Sequence, residues 1–278
     1  MTQHAAPNEF DDIAHQAGLG NWRAEYRPRP APFVLPISIA GAIYLIAVVC
    51  LAGTNMLENS FGVIMLVIFT LFIGLGILNV VHTKRKSGAD DVLRLYDHGL
   101  IIKGPKTLVS IFWWDTARVH QRLFHYPQTG LTTYNYLLTG PEAHPIAIGD
   151  PKGAAASAIV NLQGDLANFT LGAAFSRPEE WGPVIQQAVT HAQLPDVLAR
   201  IDRGERLAFG SIAIDRDSLT IDGAVIAWSR LKAVSLRDGV AVFNSADRLF
   251  RTREPVYTIP NFFVLQEAVR AKTGLDWT

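Results

Sequence analysis

Two long apolar runs dominate the hydrophobic pattern of the chain. Ala31 to Gly53 and Ser60 to Val81 carry no charged side chain, and each is long enough to cross ~30 Å of hydrocarbon as a helix. The pattern predicts a two-helix transmembrane hairpin over residues 31–81, with spans at 31–53 and 60–81. After Lys86 the pattern changes to short alternating runs separated by Gly, Pro and Asp, as in antiparallel sheet. Val92 to Gly104 predicts a strand pair turning at Asp97-His98-Gly99, and Ile212 to Gly223 predicts another turning at Asp215 to Ser218. Each leads into a tryptophan-bearing strand ending in valine: Trp113, Trp114 and Val119 in one, Trp228 and Val234 in the other. This shared order predicts an internal repeat. The interval from Trp114 to Val119 is a residue shorter than its counterpart, so either Trp113 or Trp114 can correspond to Trp228.

Helical spacing marks the end of each copy. Ser176 to Gln193 predicts a helix with a capping box at Ser176 and Glu179, an apolar stripe of Val184, Ile185 and Ala188, and Pro183 as either a kink or a start. A second helical piece runs from Asp196 to Arg203 and stops at Gly204. Pro260 to Thr273 predicts the closing helix, with Phe262, Leu265 and Val269 on one face and Gly274 as its stop. Short strands closed by one amphipathic helix form a pleckstrin-homology-like pattern, a small barrel capped at its open end. The expected organisation is an N-terminal segment 1–30, the hairpin 31–81, a first such domain over 90–203 and a second over 204–278. The expected fold class is a membrane helical hairpin plus a β-rich α+β region. Val92, Leu100, Ile102, Leu219, Ile221 and Val234 are expected inside, with Trp113, Trp114, Trp181 and Trp228 as core rather than as an aromatic binding surface.

Charge sets the orientation. Arg23, Arg27 and Arg29 precede the first span and Lys84, Arg85 and Lys86 follow the second, while the linker 54–59 carries only Glu58. The positive-inside rule places both termini in the cytoplasm and the protein in the cell membrane. A formal net charge of +0 disfavours a nucleic-acid partner. The single cysteine, Cys50, lies in an apolar run, so no disulfide framework or cysteine metal site is expected. The histidines are scattered: His120 and His125 lack the helical spacing and glutamate of a zinc protease motif. No phosphate loop or nucleophile elbow is present, so no catalytic, cofactor or metal residues are assigned. A solvent-reached cluster around His120 and Asp115 would be needed to support an enzyme. Lys84, Arg85, Lys86, Arg248, Arg251 and Arg253 are the candidates for contact with anionic lipid headgroups.

Several stretches carry a resemblance. They are Leu19-Gly20 with Tyr26-Arg27-Pro28, Leu95-Tyr96-Asp97-His98-Gly99-Leu100, Trp114-Asp115 with Val119-His120-Gln121-Arg122, and Thr132-Thr133-Tyr134. Phe209-Gly210, Trp228-Ser229 and Ile259-Pro260-Asn261-Phe262-Phe263-Val264 complete the set. The chain resembles bacterial, mainly actinobacterial, membrane proteins of unknown function with pleckstrin-homology-like repeats. The resemblance implies fold and location and transfers no catalytic residues. The expectation is a non-catalytic adaptor or sensor whose partners are the bilayer and a protein or lipid. An accessory subunit acting through the hairpin, and an uncharacterised enzyme, are the alternatives.

Overall fold

The computed structural model describes residues 9–28, 70, 91–104, 108–126, 131–149, 169–246 and 252–278. Apart from Thr70, the expected membrane hairpin lies outside the described residues, as do Lys84, Arg85, Lys86, Arg248 and Arg251. Among the described residues no helix is long and apolar enough to cross a membrane. The chain divides into two units, 1–28 with 90–278, and 29–89. The architecture that follows is that of the first unit.

That unit is a β-rich α+β assembly. Helix α1 (Glu9–Gln16) precedes β1 (Trp22–Tyr26), which pairs antiparallel with β2 (Val92–Tyr96). β3 (Gly99–Lys103) and β4 (Val109–Trp113) complete a four-stranded sheet in the order β1-β2-β3-β4. A second sheet runs β5 (Arg118–Tyr126), β6 (Leu131–Thr139), β7 (Ile146–Gly149) and β8 (Thr170–Leu171), antiparallel except for the β7–β8 pair. The 25-residue helix α2 (Pro178–Asp202) follows. Then the succession recurs. A four-stranded sheet of β9 (Leu207–Phe209), β10 (Ile212–Ile214), β11 (Ser218–Ile221) and β12 (Ala224–Ala227) comes first. A three-stranded sheet of β13 (Leu231–Arg237), β14 (Val240–Ser245) and β15 (Thr252–Pro255) follows, and then helix α3 (Phe262–Thr273). Among the described residues no strand pairs from one sheet to the next, so the expected barrels are pairs of open sheets without a closed hydrogen-bonded ring.

Residues 9–28, expected as a separate leading segment, belong to this unit. Tyr26 lies opposite Leu93, and Pro28 bridges to Phe175. The loop before β1 is tied to the β2–β3 turn. The Asp97 amide donates to the Asn21 carbonyl (3.1 Å), and the His98 amide donates to that of Leu19 (2.9 Å). The Asp97 carboxylate in turn accepts from the Asn21 amide at 2.9 Å and pairs with Arg23; these contacts hold its pKa below the usual carboxylate value. A Cβ at Gly99 would collide with the Phe112 carbonyl oxygen and meet Leu19, so only glycine lets this turn close on the N-terminal loop. α1 covers the outer face of the first sheet, where Phe10, Ala14 and Leu19 pack with Val92, Tyr96 and Ile101. Arg94 is buried on the same strand, its guanidinium 2.8 Å from Glu25, 3.3 Å from Asp11 and 4.5 Å from the Phe10 ring centroid.

The tryptophan ambiguity is resolved by hydrogen bonds. The Trp114 indole donates to the Tyr96 carbonyl at 3.3 Å and its amide to that of His98 at 3.0 Å. In the later succession the Trp228 indole donates to the Asp215 carbonyl and its amide to that of Asp217, both at 3.1 Å. In each case the tryptophan pins the hairpin turn two strands earlier, which makes Trp114 the counterpart of Trp228. Trp113 instead donates to the Ala17 carbonyl under α1. The extra residue in the later interval is a bulge in β13, where Leu231 faces Ser245 and Ala233 faces Asn244, leaving Lys232 without an opposite partner. Val119 and Val234 are thereby both buried.

The helices differ more from expectation. α2 is one helix from Pro178 through both Pro183 and Pro195, where two pieces are expected. Internal prolines each cost a helix about 3 kcal/mol. Burial of Trp181, Ile185, Val189, Val197 and Ile201 along its inner face offsets that cost. The capping box is not formed: Arg177 is the N-cap, left-handed at φ 55°, with no side-chain cap bond. Val184 is exposed, so the buried stripe is Trp181, Ile185 and Val189. α3 buries Phe262, Leu265 and Val269 and stops at Gly274 with φ 70°. The largest buried cluster runs from Tyr26 to Val269 through both successions.

Candidate functional site

A cleft of about 670 Å³ opens where the two successions meet. Its rim comes from the turn after Trp114 (Asp115, Thr116 and Arg118) and from the end of β6 at Thr139 and Gly140. Val197 and Arg200 of α2, Arg206 to Phe209 entering β9, and the Pro260-Asn261 step before α3 supply the rest.

Asn261 holds this junction. It sits in the left-handed region at φ 51° and is buried. Its side-chain oxygen accepts from the Val119 amide at 2.7 Å, while its own amide donates to the Val119 carbonyl at 2.9 Å. Its side-chain nitrogen donates to the Ala117 carbonyl (2.9 Å) and to Gln193 Oε1 (2.8 Å). Gln193 Nε2 donates to the carbonyls of Trp114 and Ala117, both at 2.8 Å. One asparagine thus joins the entry of α3, the start of β5 and the middle of α2. Asparagine suits the position because it tolerates the left-handed backbone and has both a donor and an acceptor to place.

His120 lies beside this latch and is buried, with Nδ1 3.0 Å from the Tyr257 carbonyl oxygen. That oxygen accepts, so Nδ1 carries the proton. Burial pushes the ring's pKa below the usual histidine value; the bond to Tyr257 acts the other way and the charge of Arg118 adds to the depression. Because the folded pKa is depressed, the stability it contributes is present above about pH 6.5 and is lost as pH falls towards the folded value. The thermal midpoint is therefore expected to fall more steeply between about pH 7.5 and 5.5 than that of His120→Gln. Equal slopes in the two proteins would remove His120 as the source. Asp115 is exposed at the cleft while His120 is enclosed, so these two side chains do not share one solvent-reached surface.

The remaining sequence candidates separate. Arg253 is exposed on the edge strand β15, opposite Val242. Next to it, Glu254 is buried. Burial raises its carboxyl pKa, a bond from Ser211 lowers it and the neighbouring Asp222 carboxyl raises it again. Trp114 and Trp181 are core, Trp113 and Trp228 are half-buried. Among the described residues no group of three or more His, Cys, Asp or Glu side chains is arranged to hold a metal. Sequence reading missed Arg118, Arg200 and Arg206, because Arg118 stands alone and Arg200 and Arg206 lie in a stretch of mixed sign with Asp202, Arg203 and Glu205, which gives no cationic signal. It also missed Gln193 and the role of Asn261, although Asn261 lies in one of the stretches that carry the resemblance.

Residues 153–274 match a family of unknown function, DUF6585. The match takes in α2, both sheets of the later succession and all of α3, including Asn261 and Arg206. It leaves out β1 to β7. No curated protein and no solved structure matches the chain.

Proposed function

We propose that the protein is a non-catalytic, membrane-anchored adaptor or sensor whose tandem pleckstrin-homology-like domains bind a protein or lipid partner at the cytoplasmic face. The observation that carries this reading is where the apolar segment is inserted. β9 joins β10 through Gly210 and Ser211, with Phe209 opposite Ile212. At the corresponding place β1 and β2 are paired, Tyr26 opposite Leu93, and residues 29–89 take the place of that turn. Neighbouring strands lie about 5 Å apart, so a segment that leaves at Pro28 and returns at Asp91 must re-emerge on the side it entered. This favours an even number of crossings, in accord with two spans and with the basic residues flanking both. The recurring succession of a four-stranded sheet, a second sheet and a helix supports the duplicated-domain part of the reading.

The test replaces residues 29–89 with a flexible turn of about six Gly and Ser residues. The expected product is folded and soluble without detergent, whereas the full chain fractionates with membranes. Full-length protein remaining in the soluble fraction, or a joined chain that still needs detergent, would count against the anchor. Binding by the joined chain to a partner captured by the full-length protein supports the domains as the binding surface.

A second reading, an accessory subunit acting through its spans, is favoured by Ala40, Gly41, Gly74 and Gly76, whose small side chains allow close helix approach. Exchange of residues 31–81 for an unrelated two-span anchor separates the two. Loss of partner association favours the spans, and retention favours the domains.

A further inference from the structure

We propose that the cleft between the two successions binds a phosphoryl-bearing anion, held by Arg118 on one side and Arg206 on the other. Three arginines, Arg118, Arg200 and Arg206, line it against one carboxylate, Asp115. Arg200 is already engaged by Glu205 at 2.8 Å and Asp196 at 3.7 Å. Among the described residues Arg118 and Arg206 form no contact ion pair, Arg206 acting only at longer range on Asp215, so two guanidinium groups at the cleft have no carboxylate in direct contact. Each offers a planar fork of donors that matches phosphate oxygens in pairs.

The remaining lining suits a ligand larger than an ion. Thr116 and Thr139 bring hydroxyls, and Val197, Leu207, Phe209 and Pro260 bring an apolar wall. The volume falls within the range of about 300–1,000 Å³ typical of small-molecule sites. Asn261 and Gln193, themselves part of the lining, fix its back through the latch, so the cleft is formed before a ligand arrives. Its walls belong to both successions, and an occupant bridges them. Every lining residue belongs to the unit of residues 1–28 and 90–278, so the proposal does not rest on the membrane reading of residues 29–89.

The test uses the full-length protein in neutral detergent, with pyrophosphate as the probe at constant ionic strength, followed by calorimetry and by thermal unfolding. Saturable binding with a rise in unfolding midpoint is expected. R118Q and R206Q are each expected to weaken it roughly tenfold, and R237Q, at an exposed residue outside the cleft lining, to leave it unchanged. Because Arg118 and Arg206 are exposed, their variants should unfold at the wild-type midpoint without probe, and that midpoint serves as the folding control. Absence of saturable binding, or wild-type binding by the R118Q/R206Q double variant, overturns the proposal. Repeating the titration in bilayer discs of phosphatidylcholine with and without phosphatidic acid identifies the source of the phosphoryl group. Competition by phosphatidic acid assigns the site to a lipid headgroup, and its absence assigns it to a soluble phosphorylated compound; either result retains the site.

Discussion

A chain cut to begin at Asp91 is expected not to fold cooperatively, although it retains every strand from β2 onward. The loss removes Phe10, Ala14 and Leu19 from the outer face of the first sheet and Tyr26 from the main cluster. At about 1.5–3 kcal/mol for each large apolar side chain, the deficit approaches the roughly 5–15 kcal/mol that holds a whole domain together. It also strips Arg94 of Glu25 and Asp11, leaving a buried guanidinium without its carboxylates. The edge of β2 and its apolar face are exposed together, so aggregation accompanies the loss. Urea unfolding followed by tryptophan fluorescence provides the check, with the chain carrying a short turn in place of residues 29–89 as the comparison. A sharp transition in the shortened chain, matching that comparison, would show that β1 and α1 contribute little.

Replacement of Asn261 is expected to be the most damaging single substitution in the described unit. Asn261→Ala removes the side-chain partners of the Val119 amide, the Ala117 carbonyl and Gln193. It also puts a non-glycine, non-asparagine residue at a left-handed position, costing about 1–2 kcal/mol by itself. With unsatisfied buried groups at about 1–3 kcal/mol each, a total loss of roughly 3–5 kcal/mol follows. Two companions separate the causes. Asn261→Gly keeps the backbone conformation and should recover about 1 kcal/mol of the loss. Asn261→Asp keeps an acceptor for Val119 while losing both donors, and as a buried carboxylate facing Gln193 Oε1 it should do no better than Ala. Chemical unfolding of the three in parallel reads the order directly, and an Asn261→Ala loss below about 1 kcal/mol would contradict the latch.

These two expectations depend on contacts between distant parts of the chain, and that is where legibility ended. The turns at Asp97-His98-Gly99 and at Asp215 to Ser218 were readable because a turn is chosen by a few adjacent residues. α3 was readable for the same reason, its apolar face and its Gly274 stop lying within a short stretch. Trp22–Tyr26 was not, since WRAEY is too polar to announce a strand and its partner lies beyond residues 29–89. α2 was misdivided because local rules penalise Pro183 and Pro195, while burial along the core supplies the compensation. The choice between Trp113 and Trp114 was closed to sequence spacing because the extra residue is absorbed by the β13 bulge.

For the candidate site the division is the same. Arg118, Arg200 and Arg206 carry no shared motif, and the chain must bring the start of β5, the end of α2 and the entry to β9 together before they line one cleft. The sequence by itself determined which runs are apolar, where the short strands turn and where α3 stops, because periodicity and turn chemistry are local. Only the tertiary structure decided that residues 9–28 complete the first sheet, which tryptophan pins each turn and that Asn261 joins the successions. Those choices rest on hydrogen bonds and burial between residues far apart in the chain, and no local pattern encodes them.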